Sequence, residues 1–179
     1  MIKSTSNSKP IIMAIGPLGV GKSTVLNRLI GSEIFRCSNS HEVINRDFFA
    51  FTTADFTILE SPGFCVMDFD VKGWIYRFEK SPYHEKPVDL VLMCLKASRR
   101  YCNEDRFNLQ VMFGAIKHIN AKNVKFIITG VDRDPDKYTQ SSVMHNLQLL
   151  TSASGFDCPA ESNVFLFNGE TSAGVEATD

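Results

Sequence analysis

Short, continuous apolar runs alternate along the chain with segments in which apolar residues recur at helical spacing. Ile11–Ile15 is an unbroken apolar run closed by Gly16, the pattern of a strand covered on both faces. Val25, Leu26, Leu29 and Ile30 then recur at helical spacing, and Gly31 stops them, so a helix is predicted over Lys22–Ile30. Phe48–Thr52 and Phe56–Leu59 are β-rich runs around Thr53-Ala54-Asp55, which predicts an antiparallel hairpin. Ser61-Pro62-Gly63 reads as a turn. Val71–Lys80 reads as a short helix with Trp74, Ile75 and Phe78 on one face, and Val88–Leu95 as the next buried strand. Asn103 is placed as the N-cap of a helix running to about Ile119, with Glu104 and Asp105 in the first turn, where the helix dipole favours acids. Leu109, Met112, Ile116 and Ile119 would face the core. Val124–Thr129 is a further strand, Tyr138–Leu150 a weaker amphipathic helix, and Val164–Phe167 a last strand.

Strands that are apolar throughout and alternate with helices predict an α/β fold: a mostly parallel, six-stranded sheet with helices on both faces. A closing helix of about 15–20 residues would complete such a fold, yet only eleven residues follow Asn168 in a chain of 179. Either the chain is a fragment or something else covers one sheet face. Residues 11–168 are read as one domain, the polar, Ser-rich segment 1–10 as a disordered leader, and 169–179 as a disordered tail or the start of a C-terminal segment.

Composition narrows the options. A formal net charge of −1 provides no basic stripe for nucleic acid. Five cysteines without C-x-x-C spacing indicate neither a zinc site nor a disulfide framework, and they fit reduced thiols in a cytoplasmic protein. No run approaches the roughly 20 apolar residues that span a bilayer.

The candidate chemistry begins at Gly16-Pro17-Leu18-Gly19-Val20-Gly21-Lys22-Ser23, which fits G-x-x-x-x-G-K-S/T at every fixed position. It lies between a predicted strand and a predicted helix, the context that gives this phosphate-loop motif its meaning. Glycines let backbone N–H groups curl around phosphate oxygens, and the helix N-terminus adds its dipole. Lys22 would reach the β- and γ-phosphates, and the Ser23 hydroxyl would ligate Mg²⁺. Thr24 completes the candidate phosphate-binding set.

Two further loops extend the pattern. Glu60-Ser61-Pro62-Gly63 follows the second strand of the hairpin, where GTPases carry D-x-x-G: the acid holds a magnesium-bound water and the glycine N–H faces the γ-phosphate. Here the acid is Glu60, one methylene longer; the bland alternative is a solvated glutamate in a turn. Thr129-Gly130-Val131-Asp132 stands where GTPases carry N/T-K-x-D. Asp132 would accept from guanine N1–H and N2–H₂, a donor pair that adenine lacks, and Thr129 stands for the first residue. The lysine, whose stem packs on the base, is replaced by Gly130. A capping aspartate is the alternative reading for Asp132. Asn168, after the last strand, is either a contact to guanine O6 or a turn residue.

Together with Arg100-Tyr101-Cys102-Asn103-Glu104-Asp105 opening a helix, these segments resemble the immunity-associated GTPases (GIMAP or AIG type), relatives of septins and chloroplast import GTPases. The R-Y/F-x-x-E-D/E segment, matched at Arg100, Tyr101, Glu104 and Asp105, is the most family-specific feature. The resemblance covers about residues 11–168. It implies a Ras-like G domain of the P-loop NTPase class, GTP/GDP and Mg²⁺ as ligands, and GTP-dependent homodimers formed across the nucleotide face, often peripherally on cytosolic membranes.

Some positions depart from that pattern. Besides Glu60 and Gly130, the switch-I threonine expected within Ser38–Arg46 aligns with Ile44, and Phe64 stands where Ras-type proteins carry a water-positioning glutamine. Ser38 or Ser40 would replace the threonine only in a rebuilt loop. These departures favour binding over fast turnover. Lys22 and Arg100 are the catalytic candidates: Arg99 and Arg100 read either as a source of a cross-dimer arginine finger or as a solvated pair. His41, His84, His118 and His145 have no metal spacing. Three functions are left in competition: a slow GTPase switch, a non-hydrolysing GTP-gated scaffold, and a P-loop kinase or ATPase. The last lacks an arginine-rich lid segment.

Overall fold

The computed structural model describes residues 9–37, 47–64, 71–99, 101–117, 119, 121–151 and 159–168. Arg100, the candidate switch-I positions Ser38, Ser40, His41 and Ile44, and Cys65, His118 and Cys158 lie outside the described residues, as do residues 1–8 and 169–179.

The described chain runs β1 (Ile11–Ile15), α1 (Lys22–Ile30), β2 (Phe49–Thr52), β3 (Thr57–Glu60), α2 (Val71–Lys80), β4 (Leu90–Lys96), α3 (Asn103–Ala115), β5 (Val124–Thr129), α4 (Gln140–Thr151) and β6 (Val164–Phe167). The strands form one six-stranded sheet in the order β2-β3-β1-β4-β5-β6. Only the β2–β3 pair is antiparallel; β1, β3, β4, β5 and β6 run parallel. The predicted α/β class and mostly parallel sheet therefore stand.

Strand alternation divides the interior into two cores. Met13 and Ile15 of β1, Val91, Met93 and Leu95 of β4, and Phe126 and Ile128 of β5 meet Trp74 and Phe78 of α2, Leu109 and Met112 of α3, and Val143 and Leu147 of α4. The intervening positions Ala14, Leu92 and Cys94 point the other way, toward Val25 and Leu26 of α1. β1 and β4 thus bury both faces, which is why Ile11–Ile15 and Leu90–Leu95 are apolar without a break; β5 admits the half-buried Lys125, whose ammonium reaches Asn163. At the β6 edge both faces are partly open, with Phe165 48% and Leu166 40% exposed.

Element boundaries differ in instructive places. β3 extends to Glu60, so this acid is the last residue of a strand rather than the first of a turn. Asn103 is not the N-cap of α3: Cys102 holds that place, and the Asp105 carboxylate reaches back to accept from the Cys102 N–H at 2.8 Å. The sequence pattern pointed to Asn103 because asparagine is a frequent cap, but the helix begins one residue earlier, where the buried carboxylate at the third helical position satisfies the cap residue's own N–H. α3 also ends at Ala115, with Ile116 already extended.

Candidate nucleotide-binding site

The phosphate loop leaves β1 at the carboxyl edge of the sheet and enters α1 through Gly21, the helix N-cap, whose φ of 87° is left-handed. β4 runs directly beneath: a Cβ on Gly16 would lie 2.2 Å from the Cys94 carbonyl oxygen. Lys22, 7% exposed, folds back into the loop, where Nζ donates to Gly16 O at 3.1 Å and Pro17 O at 3.0 Å. Burial lowers its pKa from the ordinary lysine value, against the opposing field of Glu60. Among the described residues its hydrogen-bond partners are these two carbonyls, and a buried cation so held is under-compensated until an anion arrives.

Ser23 Oγ, on the first turn of α1, donates to Glu60 Oε1 at 2.6 Å. Glu60 is 2% exposed and sits at the end of β3, which pairs with β1 in a register that sets Ala14 opposite Glu60. The carboxylate expected at the second motif therefore meets the hydroxyl expected at the first. An oxygen-only pair of this kind fits the ligand preference of Mg²⁺. Among the described residues no cluster of three His, Cys, Asp or Glu is placed to hold a metal, so the fit rests on this pair together with oxygens a phosphate would bring.

The segment after Glu60 packs tightly on the phosphate loop. Leu18 N–H donates to Phe64 O at 2.9 Å, and Pro17 and Phe64 form a parallel bridge. Gly63 is required here because a Cβ would fall 2.7 Å from Leu18 Cα. Phe64 is fully buried, so it serves packing and offers no polar group to a water.

Thr129, at the end of β5, donates from Oγ1 to Val20 O at 2.6 Å, with Leu95 O at 3.2 Å. This residue, expected to face a base, joins the base loop to the phosphate loop. Asp132 follows half-buried, and among the described residues no ion pair engages it. β6 pairs with β5 so that Phe167 stands opposite Thr129, which brings the exposed Asn168 alongside the start of the same loop. Thr24 is exposed on α1, its Oγ1 3.6 Å from Cys37 Sγ. The sequence-predicted phosphate, carboxylate and base-loop residues thus converge on one sheet edge.

Arg99 is not a freely solvated residue. Its guanidinium pairs with Asp105 at 3.1 Å and lies over the Tyr101 ring. Sequence reasoning missed the task of Tyr101: its hydroxyl accepts from Lys96 N–H at 2.8 Å and donates to Lys96 O at 3.3 Å, clamping the last residue of β4. No motif spacing announces such a clamp.

Comparison with known proteins agrees with this geometry. A family model described as 50S ribosome-binding GTPase matches residues 11–131. No curated protein sequence matches the chain. Among solved structures, Toc33 from Arabidopsis thaliana is similar in two forms. A dimerization-deficient arginine-to-alanine mutant has a TM-score of 0.70 at 15% identity, covering 93% of this chain and 73% of that one. The complex with Mg²⁺ and GMPPNP has a TM-score of 0.68 at 16% identity, with the same coverage. A third structure, described as showing that dimerization is important for the GTPase activity of the chloroplast translocon components atToc33 and psToc159, has a TM-score of 0.60 at 15% identity, covering 88% of this chain and 68% of that one. At these identities the likeness establishes the fold.

Proposed function

The chain belongs to the family described as 50S ribosome-binding GTPases and is a GTP-binding G domain; within that frame we propose that it is an AIG-type guanine-nucleotide switch with slow GTP hydrolysis that depends on dimerisation. The observation that carries this reading is the Ser23–Glu60 contact beside the buried Lys22. It brings a hydroxyl, a carboxylate and a cation together at a helix N-terminus, as a magnesium nucleotide requires.

In this proposal Gly16, Pro17, Leu18, Gly19, Val20 and Gly21 cradle the phosphates, Lys22 neutralises the β- and γ-oxygens, and Thr24 closes the cradle. Ser23 and Glu60 would hold Mg²⁺, which would supply charge neutralisation to the bound phosphates. Gly63 faces the γ-phosphate. Thr129, Asp132 and Asn168 form the base pocket. Arg100 of a second copy supplies the missing transition-state charge. The protein works in the cytoplasm, with peripheral association with membranes; among the described residues no helix is long and apolar enough to cross a bilayer.

One observation favours a second reading, a GTP-gated scaffold that does not hydrolyse. Phe64 is buried against the phosphate loop at the place where a water-positioning side chain would stand.

Displacement of a fluorescent GDP analogue tests the core of the proposal. GTP and GDP should compete far better than ATP, because a carboxylate built to pair two donors rejects a base that lacks them. Equal displacement by ATP would remove Asp132 from the base pocket and bring the ATPase reading forward.

A further inference from the structure

Gly130 leaves the base loop without a side chain where a flat purine would need an apolar surface to lie on. Its φ of +69° is left-handed, a conformation in which any L side chain at this position would be strained. A neighbouring strand fills the gap. Lys96 is the β4 residue opposite Thr129 in the β4–β5 register. By strand alternation its side chain shares the side of Leu92 and Cys94, the α1 side on which the phosphate loop lies. Lys96 Cγ and Cε both stand 3.7 Å from the position a Gly130 Cβ would occupy. Equal approach by two carbons of one stem means that the chain runs across the glycine instead of meeting it end-on.

The backbone that carries this stem is held firmly. Tyr101 Oη bonds both the N–H and the carbonyl of Lys96. The next residue, Ala97, donates its N–H to Thr129 O at 2.9 Å. Lys96 itself is only half-buried, and among the described residues no ion pair engages it. Its methylenes and ammonium therefore remain accessible on the loop that ends in Asp132.

We propose that Lys96 is a specificity-determining residue of the base pocket: its stem packs on the purine and ribose in place of the lysine absent at Gly130, and Tyr101 is its positioning residue. The inference rests on the guanine reading of Asp132. The apolar stem laid over the purine face should tighten nucleotide binding about tenfold.

The test measures fluorescent GDP analogue binding and dissociation for the full chain and for Lys96→Ala, Lys96→Met and Tyr101→Phe, with inorganic pyrophosphate as a competitor that has no base. Lys96→Ala should weaken the nucleotide about tenfold, mainly through faster release, with pyrophosphate affinity unchanged. Lys96→Met should recover most of the loss, since it keeps the stem. Tyr101→Phe should cost less, and its effect should vanish in the Lys96→Ala background. Unchanged nucleotide release in Lys96→Ala, while the parent still prefers GTP over ATP, would overturn the role of Lys96 alone. Equal loss of pyrophosphate binding would overturn it as well, by showing a general disturbance of the site. A parent without guanine preference would overturn both the inference and the reading beneath it.

Discussion

Ser23 Oγ and Glu60 Oε1 meet at 2.6 Å across 37 residues of sequence. Glutamate is one methylene longer than the usual acid at this motif, and the register that places Ala14 opposite Glu60 keeps its carboxylate within reach of the hydroxyl. The extra length is taken up in a pocket where Glu60 is 2% exposed. Glu60→Gln should retain the shape and lose the charge. The Mg²⁺ concentration that half-maximally slows nucleotide release should then rise about 10–100-fold, the usual cost of disturbing a metal's supporting shell. A metal titration of release rates checks this, and an unchanged midpoint would show that Glu60 does not support a metal.

Lys22→Ala should lower GDP affinity at least about 100-fold, because charge-assisted bonds to phosphate contribute about 1.5–3 kcal/mol each. A pH effect accompanies it. Burial holds the Lys22 pKa below the ordinary lysine value in the free protein, and bound phosphate would raise it again. Affinity should be flat below the lowered pKa and fall as pH rises from there toward 10.5, the ordinary lysine value. Calorimetry in buffers of different ionisation enthalpy should record proton uptake on binding in that window. Affinity that increases with pH through it would contradict the assignment.

Asp105 bears two duties, capping α3 at the Cys102 N–H and pairing with Arg99. Asp105→Ala should destabilise the fold by about 2 kcal/mol, combining a lost cap with a partly buried guanidinium left without its carboxylate. In a domain of this size that is a fall of roughly 5 °C in Tm. Asp105→Asn, which keeps the acceptor for the N–H, should recover about half. Thermal unfolding monitored by circular dichroism distinguishes the three proteins; identical melting would mean that the contacts carry no net stability.

Hydrolysis should be very slow in the monomer, since Phe64 is buried and offers nothing to a water. A second copy contributing Arg100 would supply a charge of a kind that is worth about 10³–10⁵ in rate. Phosphate release per molecule should therefore rise with protein concentration, and Arg100→Ala should flatten that rise without changing GDP affinity. Specific activity independent of concentration, with a monomer in light scattering under both GDP and a non-hydrolysable GTP analogue, would exclude a trans arginine. A dimer only in the GTP-like state with no release would support the scaffold.

The phosphate loop was legible in the sequence because its chemistry is local: glycines at set intervals, a lysine and a hydroxyl, flanked by a strand and a helix. The parallel sheet was legible for a similar reason, since β1 and the body of β4 bury both faces and carry no polar residue from Ile11 to Ile15 or from Leu90 to Leu95, and β5 is interrupted only by Lys125 before its closing Thr129. Asp132 and Glu60 became candidates through their spacing from those strands. What spacing cannot express is which residues of different strands stand side by side. The β1–β3 register decides that the longer Glu60 still reaches Ser23, and the β4–β5 register decides that Lys96 crosses Gly130. The cap of α3 was misplaced for the same reason: Asp105 outweighs Asn103 only once burial and the Arg99 pairing are in view. The sequence by itself determined the order and type of the elements and the phosphate-loop motif between β1 and α1, because both depend on neighbours along the chain. Only the tertiary structure decided the partners, because strand order and register are set by packing between residues far apart in sequence.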